Sequence, residues 1–290
     1  MRSTILVTGA YGQLGRALIH SLGKSGHDII GLDRLPGDNN QFIQCDLLDD
    51  DLDDLANRKW DVVVHLAGDI SDPQLSREAI NSVLPTNVLA TIRLLHAIRN
   101  CATQVIFASS ISVYGNEGVP VPYRENQPLH PNSLYGSSKA AAEKYLSYHD
   151  LFAKTCVLRI AQVVGPGTPD YIAPIRMVQA AKNGENIPLF CTDATVRDYI
   201  HVDDVVKAIT SAIRLQVSGV FNVGSGKPTK LAHLASHITQ LAGVRLEQTH
   251  PVPKVPECAM WMSIERARKY LFFEPTWTIE RFVEEEIRGA

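Results

Sequence analysis

Ile5-Leu-Val-Thr-Gly9-Ala-Tyr-Gly12-Gln-Leu-Gly15 is the stretch that decides how this chain of 290 residues is read. A short apolar run stops at a glycine, two further glycines follow at intervals of three, and residues 14–26 have the spacing of an amphipathic helix. A strand that feeds a helix through such a turn presents backbone N–H groups and a helix N-terminus to a pyrophosphate. Glycine is needed there because any side chain would hold the phosphates off. Turns of this kind also favour glycine for steric reasons alone, so it is the neighbouring sequence that gives the glycines their meaning. The next apolar run, DIIGLD at 28–33, ends at Asp33, 18 residues after Gly15. A carboxylate at that point accepts hydrogen bonds from both ribose hydroxyls of a dinucleotide and repels a 2′-phosphate, which favours NAD over NADP. Arg34 follows directly and is able to pair with a phosphate, which pulls the other way.

Working outward, VVVHLAG (62–68), QVIFASS (104–110) and TCVLRI (155–160) read as buried parallel strands, with helical stretches such as 86–101 between the apolar runs. The alternation predicts an α/β chain: a doubly wound Rossmann parallel sheet with a small C-terminal substrate-binding lobe. The predicted NAD-binding Rossmann domain covers 1–165, with 196–226 returning to it, and 166–195 together with 227–290 form the lobe. GPGTPDYIAP (165–174) reads as a loop, IRMVQAAKNG (175–184) as a helix and HPVPKVPE (250–257) as strand broken by proline. Such sheets bind ligands at the carboxyl ends of their strands, where a lobe following 155–160 would close.

Composition excludes several other classes. A net charge of −3, with Lys and Arg scattered, leaves no footprint for nucleic acid or an anionic membrane. No apolar run reaches membrane-spanning length, and Met1 leads too directly into ILVTGA for a signal-peptide core. The five cysteines (Cys45, Cys101, Cys156, Cys191, Cys258) show no CxxC or Cys/His spacing, so reduced thiols, a cytoplasmic setting and no metal are expected.

Tyr135 and Lys139 stand four apart in LYGSSKAAAEKYL (134–146), a segment of helical propensity, so both project from one helix face. The same spacing also occurs as an ordinary surface pair. A free tyrosine ionises at about pH 10, and a neighbouring ammonium with an oxidised nicotinamide favours the phenolate. Ser110 ends the run FASS just before ISVYG, placing a hydroxyl at the carboxyl edge where it can share a proton with a substrate oxygen bound by Tyr135. A strand-end serine also serves as a cap.

The series TGAYGQLG (8–15), Asp33, CDLLD (45–49), HLAG (65–68), TNVLAT (86–91), SSISVYG (109–115), YGSSK (135–139), LRIAQVVGP (158–166), RDYIHVDDVV (197–206) and FNVGSGKPTKL (221–231) resembles the extended short-chain dehydrogenases. It is similar there to the NAD-dependent epimerase/dehydratase family, whose members act mainly on nucleotide sugars, and the match is collinear over about 1–230. The resemblance implies an NAD site built from Gly9, Tyr11, Gly12, Gln13, Leu14 and Gly15, with Asp33 and Arg34 at the second strand. It adds Asp46 and Leu47 near the adenine, Leu66, Ala67 and Gly68 with His65 on the strand beneath the pyrophosphate, and Asn87 supporting the active-site region. Ser110 is then the hydroxyl catalyst, Tyr135 the acid/base and Lys139 the residue on the nicotinamide ribose. Arg197 would clamp a substrate diphosphate, with Ser110, Ser112 and Gln162 as further substrate contacts. Related proteins commonly dimerise through the helix that bears the YxxxK pair and the one before it, which implies a homodimer.

Members that dehydrate carry an acidic pair directly after the catalytic hydroxyl residue, and here those positions are Ile111 and Ser112, so epimerisation at C4 through a transient 4-keto sugar is expected. Net oxidation or reduction of a sugar, with NAD(P), is the alternative, and a non-catalytic NAD sensor a further one. Gln162 stands where an asparagine is common, Ser263 and Phe272 where Asp and Gly are usual, and 257–262 lack a second phosphate-binding arginine. The short span from Gly165 to Arg197 predicts a tight pocket. Trp261 and Trp277 are candidates to line it, although aromatic residues in a small lobe more often belong to its core.

Overall fold

Strands that are apolar at nearly every position need cover on both faces, and the chain supplies it by alternating them with helices. The computed structural model describes residues 2–37, 41–70, 77–116, 118–148, 152–189, 194–248 and 258–289. The first half runs β1 (Thr4–Thr8), α1 (Gln13–Leu22), β2 (Asp28–Asp33), β3 (Phe42–Gln44), α2 (Asp53–Ala56) and β4 (Trp60–His65). Helix α3 (Arg77–Leu84) passes through a π-helical turn at Pro85–Leu89 into α4 (Ala90–Ile98). Then come β5 (Ala102–Ser110), a 3-10 turn at Ile111–Tyr114, α5 (Leu134–Tyr148) and β6 (Lys154–Ile160).

The second half alternates shorter pieces: β7 (Gln162–Val164), α6 (Ala173–Lys182), β8 (Ile187–Leu189), β9 (Val196–Arg197), β10 (Tyr199–His201) and α7 (Val202–Leu215). It continues with β11 (Gly219–Val223), β12 (Thr229–Lys230), α8 (Leu231–Ala242), β13 (Leu246–Gln248), β14 (Ala259–Met260), α9 (Glu265–Leu271) and α10 (Ile279–Arg288).

Seven strands form the central sheet in the order β11-β6-β5-β4-β1-β2-β3, and every pairing in it is parallel. Alternate side chains of β1 serve opposite faces, as the two-residue period of a strand requires. Ile5 and Val7 pack with Leu18, Leu22 and α7 residues such as Val205 and Ile209, while Leu6 packs with Leu94, Leu95 and Ile98 of α4 and Leu146 of α5. A third core joins Met177, Val178, Leu234, Ile238, Phe282 and Val283 across α6, α8 and α10. The five expected runs all appear as central strands. Strands β3 and β11 are additional, one only three residues long and the other interrupted by the buried polar Asn222, so neither has the continuous apolar signature of its neighbours.

Among the described residues no helix is long and apolar enough to cross a membrane, and no group of three or more His, Cys, Asp or Glu is placed to hold a metal ion. Cys191 and the proline-rich 250–257 stretch lie outside the described residues.

One buried polar network ties α5 to the sheet. Glu143 accepts from Ser109 Oγ of β5 and pairs with Arg159 of β6 through Nη2 at 2.7 Å. Arg159 Nη1 donates to the Tyr114 hydroxyl at 2.9 Å, which donates to Asn222 Oδ1 of β11 at 2.7 Å. Both charged side chains are only 6% exposed, so removing one partner strands the other charge in the interior. Arg159→Met is therefore expected to lower unfolding free energy by roughly 3–5 kcal/mol, read from urea denaturation midpoints.

Candidate active site

The carboxyl ends of β1, β4, β5 and β6 open on a cavity of about 520 Å³, within the range of small-molecule and cofactor sites. Its floor is the glycine turn. Gly9 adopts φ +67°, and a Cβ there would meet the Ala67 backbone nitrogen at 2.7 Å. A Cβ on Gly15 would lie 2.1 Å from the Gly9 carbonyl, so α1 packs against the turn at a distance only glycine permits. Gly12 is the exposed N-cap of α1 and no side chain caps that end. A tight turn, an open approach and a close helix contact are the three glycine roles of a dinucleotide cradle, and the residues present fit NAD.

Asp33 closes β2 with its carboxylate on the Tyr11 N–H at 3.0 Å and the Leu35 N–H at 3.2 Å, which holds it at the sheet edge beside the turn. Arg34 is exposed next to it, and Asp46 and Leu47 follow β3 one strand further along the same edge. Asp46 is spent locally, taking the Leu48 N–H at 2.9 Å, and Leu47 is buried. Tyr11 stacks on Phe42 with ring centroids 4.9 Å apart.

Beneath the cradle a chain of hydrogen bonds settles the state of His65. Thr91 donates to the Asn87 carbonyl at 2.8 Å, so its hydroxyl accepts from His65 Nε2 at 2.9 Å, and His65 Nδ1 accepts from Thr8 Oγ1 at 2.7 Å. Thr8 Oγ1 in turn accepts the Ala67 N–H at 3.2 Å. Burial holds the imidazole down to about 3, so it is neutral and structural. Asn87, also buried, takes the Asp69 N–H at 2.7 Å, donates to the Asp69 carbonyl at 2.8 Å and reaches Ser138 Oγ of α5 at 2.9 Å. It thereby pins the segment after Leu66 to the helix that carries Tyr135.

Tyr135 and Lys139 do share one face of α5, and with Ser110, Ser112, Gln162 and Arg197 they line the cavity. Ser110 caps the 3-10 turn, its Oγ 3.2 Å from both the Ser112 N–H and Ser112 Oγ. Lys139 is 4% exposed; its Nζ donates to the Ala108 carbonyl at 3.0 Å and sits 5.9 Å above the Tyr135 ring. Gly68 admits it, since a Cβ there would stand 3.1 Å from Nζ. Burial pushes the Tyr135 phenol up to about 12, with a Ser110 hydrogen bond opposing and Tyr171 adding. The ammonium is turned to Ala108 and is itself held down to about 8 by burial, against the pull of Glu143.

Arg197 lies on β9, the middle strand of a small three-stranded sheet with β12 and β14. Its Nη1 donates to the Val196 and Cys258 carbonyls at 2.9 Å, which steers the guanidinium along the cavity wall. The lining residues that the sequence reading did not assign to the site include Ile70, Pro169, Tyr171, Ile172 and Met260. An aromatic inside a Gly/Pro-rich loop at a carboxyl edge was the available signal for Tyr171. Neither Trp261 nor Trp277 lines the cavity; Trp277 packs on the lobe core and stacks on His201 with centroids 4.0 Å apart.

What the sheet edge assembles is the site of a dinucleotide-dependent enzyme that moves a proton and a hydride at a carbinol or ketone. The chain belongs to the NAD dependent epimerase/dehydratase family, whose sequence model matches residues 5–224. It is 31% identical over 300 residues to the UDP-glucose 4-epimerase of Mycolicibacterium smegmatis, covering 93% of each chain. MoeE5, solved in complex with UDP-glucuronic acid and NAD, superposes with a TM-score of 0.86 at 27% identity over 98% of both chains. The UDP-glucose 4-epimerase of Thermotoga maritima, solved with UDP-glucose, gives a TM-score of 0.85 at 26% identity over 98% of this chain and 97% of that one.

The Lys139 environment has a stability signature. Its folded-state value of about 8 lies below the ordinary 10.5, so between those values the unfolded chain binds more protons and stability rises with pH. Lys139→Met removes that contribution. The stability of the parent relative to Lys139→Met is expected to increase from pH 8 to about 10.5 in urea titrations, and a flat difference would contradict the buried-ammonium geometry.

Proposed function

We propose that this chain interconverts C4 epimers of a nucleotide-diphosphate sugar, a UDP-sugar in the first instance, through a transient 4-keto sugar. The observation that carries the reading is the convergence of Ser110, Tyr135, Lys139 and Arg197 on the cavity floored by the glycine turn. The glycine turn, Asp33 and Lys139 would hold NAD, which would supply hydride acceptance and return at C4 and, when oxidised, a positive charge. Tyr135 takes the proton of the sugar 4-hydroxyl as the carbinol is oxidised and gives it back once the ketone has presented its other face. Ser110 hydrogen-bonds the same oxygen, and Lys139 holds the nicotinamide ribose. Arg197 offers its guanidinium to the diphosphate of the substrate.

Dehydration lacks its acid/base pair, since Ile111 is buried and Ser112 is a hydroxyl. Asp198 is the one carboxylate among the described lining residues, and it is committed to the Ser225 N–H and hydroxyl at 2.8 and 2.6 Å and the Met262 N–H at 3.2 Å. In this reading residues 1–165 with 196–226 hold the dinucleotide, and 166–195 with 227–290 cover the sugar. The return of β11 to the sheet and the separate α6/α8/α10 core support that division. A homodimer through α3–α4 and α5 accounts for Ile80, Leu84 and Leu89, exposed at 43, 37 and 51% along one helical run. A cytoplasmic setting suits the buried, unbridged thiols of Cys45, Cys101, Cys156 and Cys258.

Incubation of the purified protein with NAD and 4-deuterated UDP-glucose is expected to yield the C4 epimer with deuterium retained, followed by NMR. Tyr135→Phe should lower kcat by about 10²–10⁴-fold while NAD still binds. Arg197→Ala should raise KM for the nucleotide sugar by about 10- to 100-fold, the scale of a lost charged hydrogen bond. Unchanged turnover in Tyr135→Phe would remove the acid/base assignment, and stoichiometric NADH production without epimer would move the reaction to net oxidation.

A further inference from the structure

Gly165-Pro166-Gly167-Thr168 forms a turn closed by the Thr168 N–H on the Gly165 carbonyl at 3.0 Å, with Gly167 at φ +83°. Proline second and a positive-φ glycine third are what a type II turn asks for, so its shape is set before any ligand arrives. Against it lies Gln13, the first residue of α1. The Gln13 Nε2 stands 2.8 Å from Thr168 Oγ1, 3.1 Å from the Pro166 carbonyl and 3.3 Å from the Gly165 carbonyl. Thr168 gives its own hydroxyl hydrogen to Gly165 at 2.7 Å. All three partners therefore accept, and the two N–H groups of the Gln13 amide are shared among them.

These bonds cross 152 positions of sequence to join the glycine turn after β1 to the segment after β7. That segment carries Pro169, Tyr171 and Ile172, which line the cavity along with Gly12, Gln13 and the Tyr135 ring. Tyr171 is near enough to Tyr135 to oppose its ionisation, so the segment reaches the reacting end of the site as well as the cradle. The side chain that fastens the cover thus stands at the N-terminal end of α1, where a pyrophosphate would rest.

We propose that Gln13 is a positioning residue, a clasp that fastens segment 165–172 over bound NAD and slows its release. The proposal rests on the reading of the site as one that reuses its cofactor within each turnover, because a dinucleotide that leaves as NADH between the two hydride steps would leave a keto sugar stranded.

The test measures NAD release directly, without sugar, by chasing labelled NAD from the loaded protein. Gln13→Ala is expected to speed release by about tenfold, the scale of one or two neutral hydrogen bonds. Gln13→Glu should exceed it, because a carboxylate would face two carbonyl oxygens. Thr168→Val attacks the clasp from the other side, and combining it with Gln13→Ala should add little, a non-additivity that unrelated structural damage would not produce. Release within about twofold of the parent in both Gln13 variants overturns the clasp, as does an effect confined to KM for the sugar nucleotide. Faster release in a protein that turns over no UDP-sugar supports the clasp and overturns only the epimerase reading.

Discussion

A parallel sheet covered on both faces has only its strand ends to offer to water, and that constraint organises this molecule. Seven strands point the same way, so seven carboxyl ends gather on one edge, and the polar groups that the core cannot hold collect there. The glycine turn, Asp33, Ser110, Gln162 and the segment after Gly165 all lie at or just beyond the end of a strand. The chemistry is concentrated because the core excludes it everywhere else.

Holding that edge rigid requires polar groups in the interior, each with its partners satisfied. Thr8, His65, Thr91 and Asn87 make one connected line under the cradle, and Ser109, Glu143, Arg159, Tyr114 and Asn222 make another behind the helix that bears Tyr135. The first line settles the tautomer of a buried histidine; the second spans β5, α5, β6 and β11. The π-helical turn at Pro85–Leu89 serves the same end, because it turns Asn87 inward while Leu89 stays 51% exposed.

Burial also sets the electrostatic starting point for proton transfer. A phenol pushed up to about 12 and an ammonium held down to about 8 are each closer to neutral than in water. A low-dielectric pocket of this kind magnifies any charge brought into it, so an oxidised nicotinamide acts on Tyr135 far more strongly than it would in solvent. In the proposed reaction the tyrosine becomes a base only when the cofactor is in place, which would couple proton transfer to the presence of a hydride acceptor.

The sequence by itself determined the sheet class and the dinucleotide turn, and it put Tyr135 and Lys139 on one helix face, because those depend on local patterns: continuous apolar runs, glycine spacing and a four-residue helical interval; Ser110 and Arg197 entered as candidates that the structure places on the same cavity. It did not show β3 or β11, where three residues or a buried asparagine break the pattern, nor the direction in which Lys139 points. Tertiary structure alone decided that Trp277 belongs to a core, that Tyr171 faces the cavity, and that Gln13 reaches across to the turn at Gly165. Those facts depend on which distant segments meet, and a contact between residues 152 positions apart leaves no periodic signal in either of them.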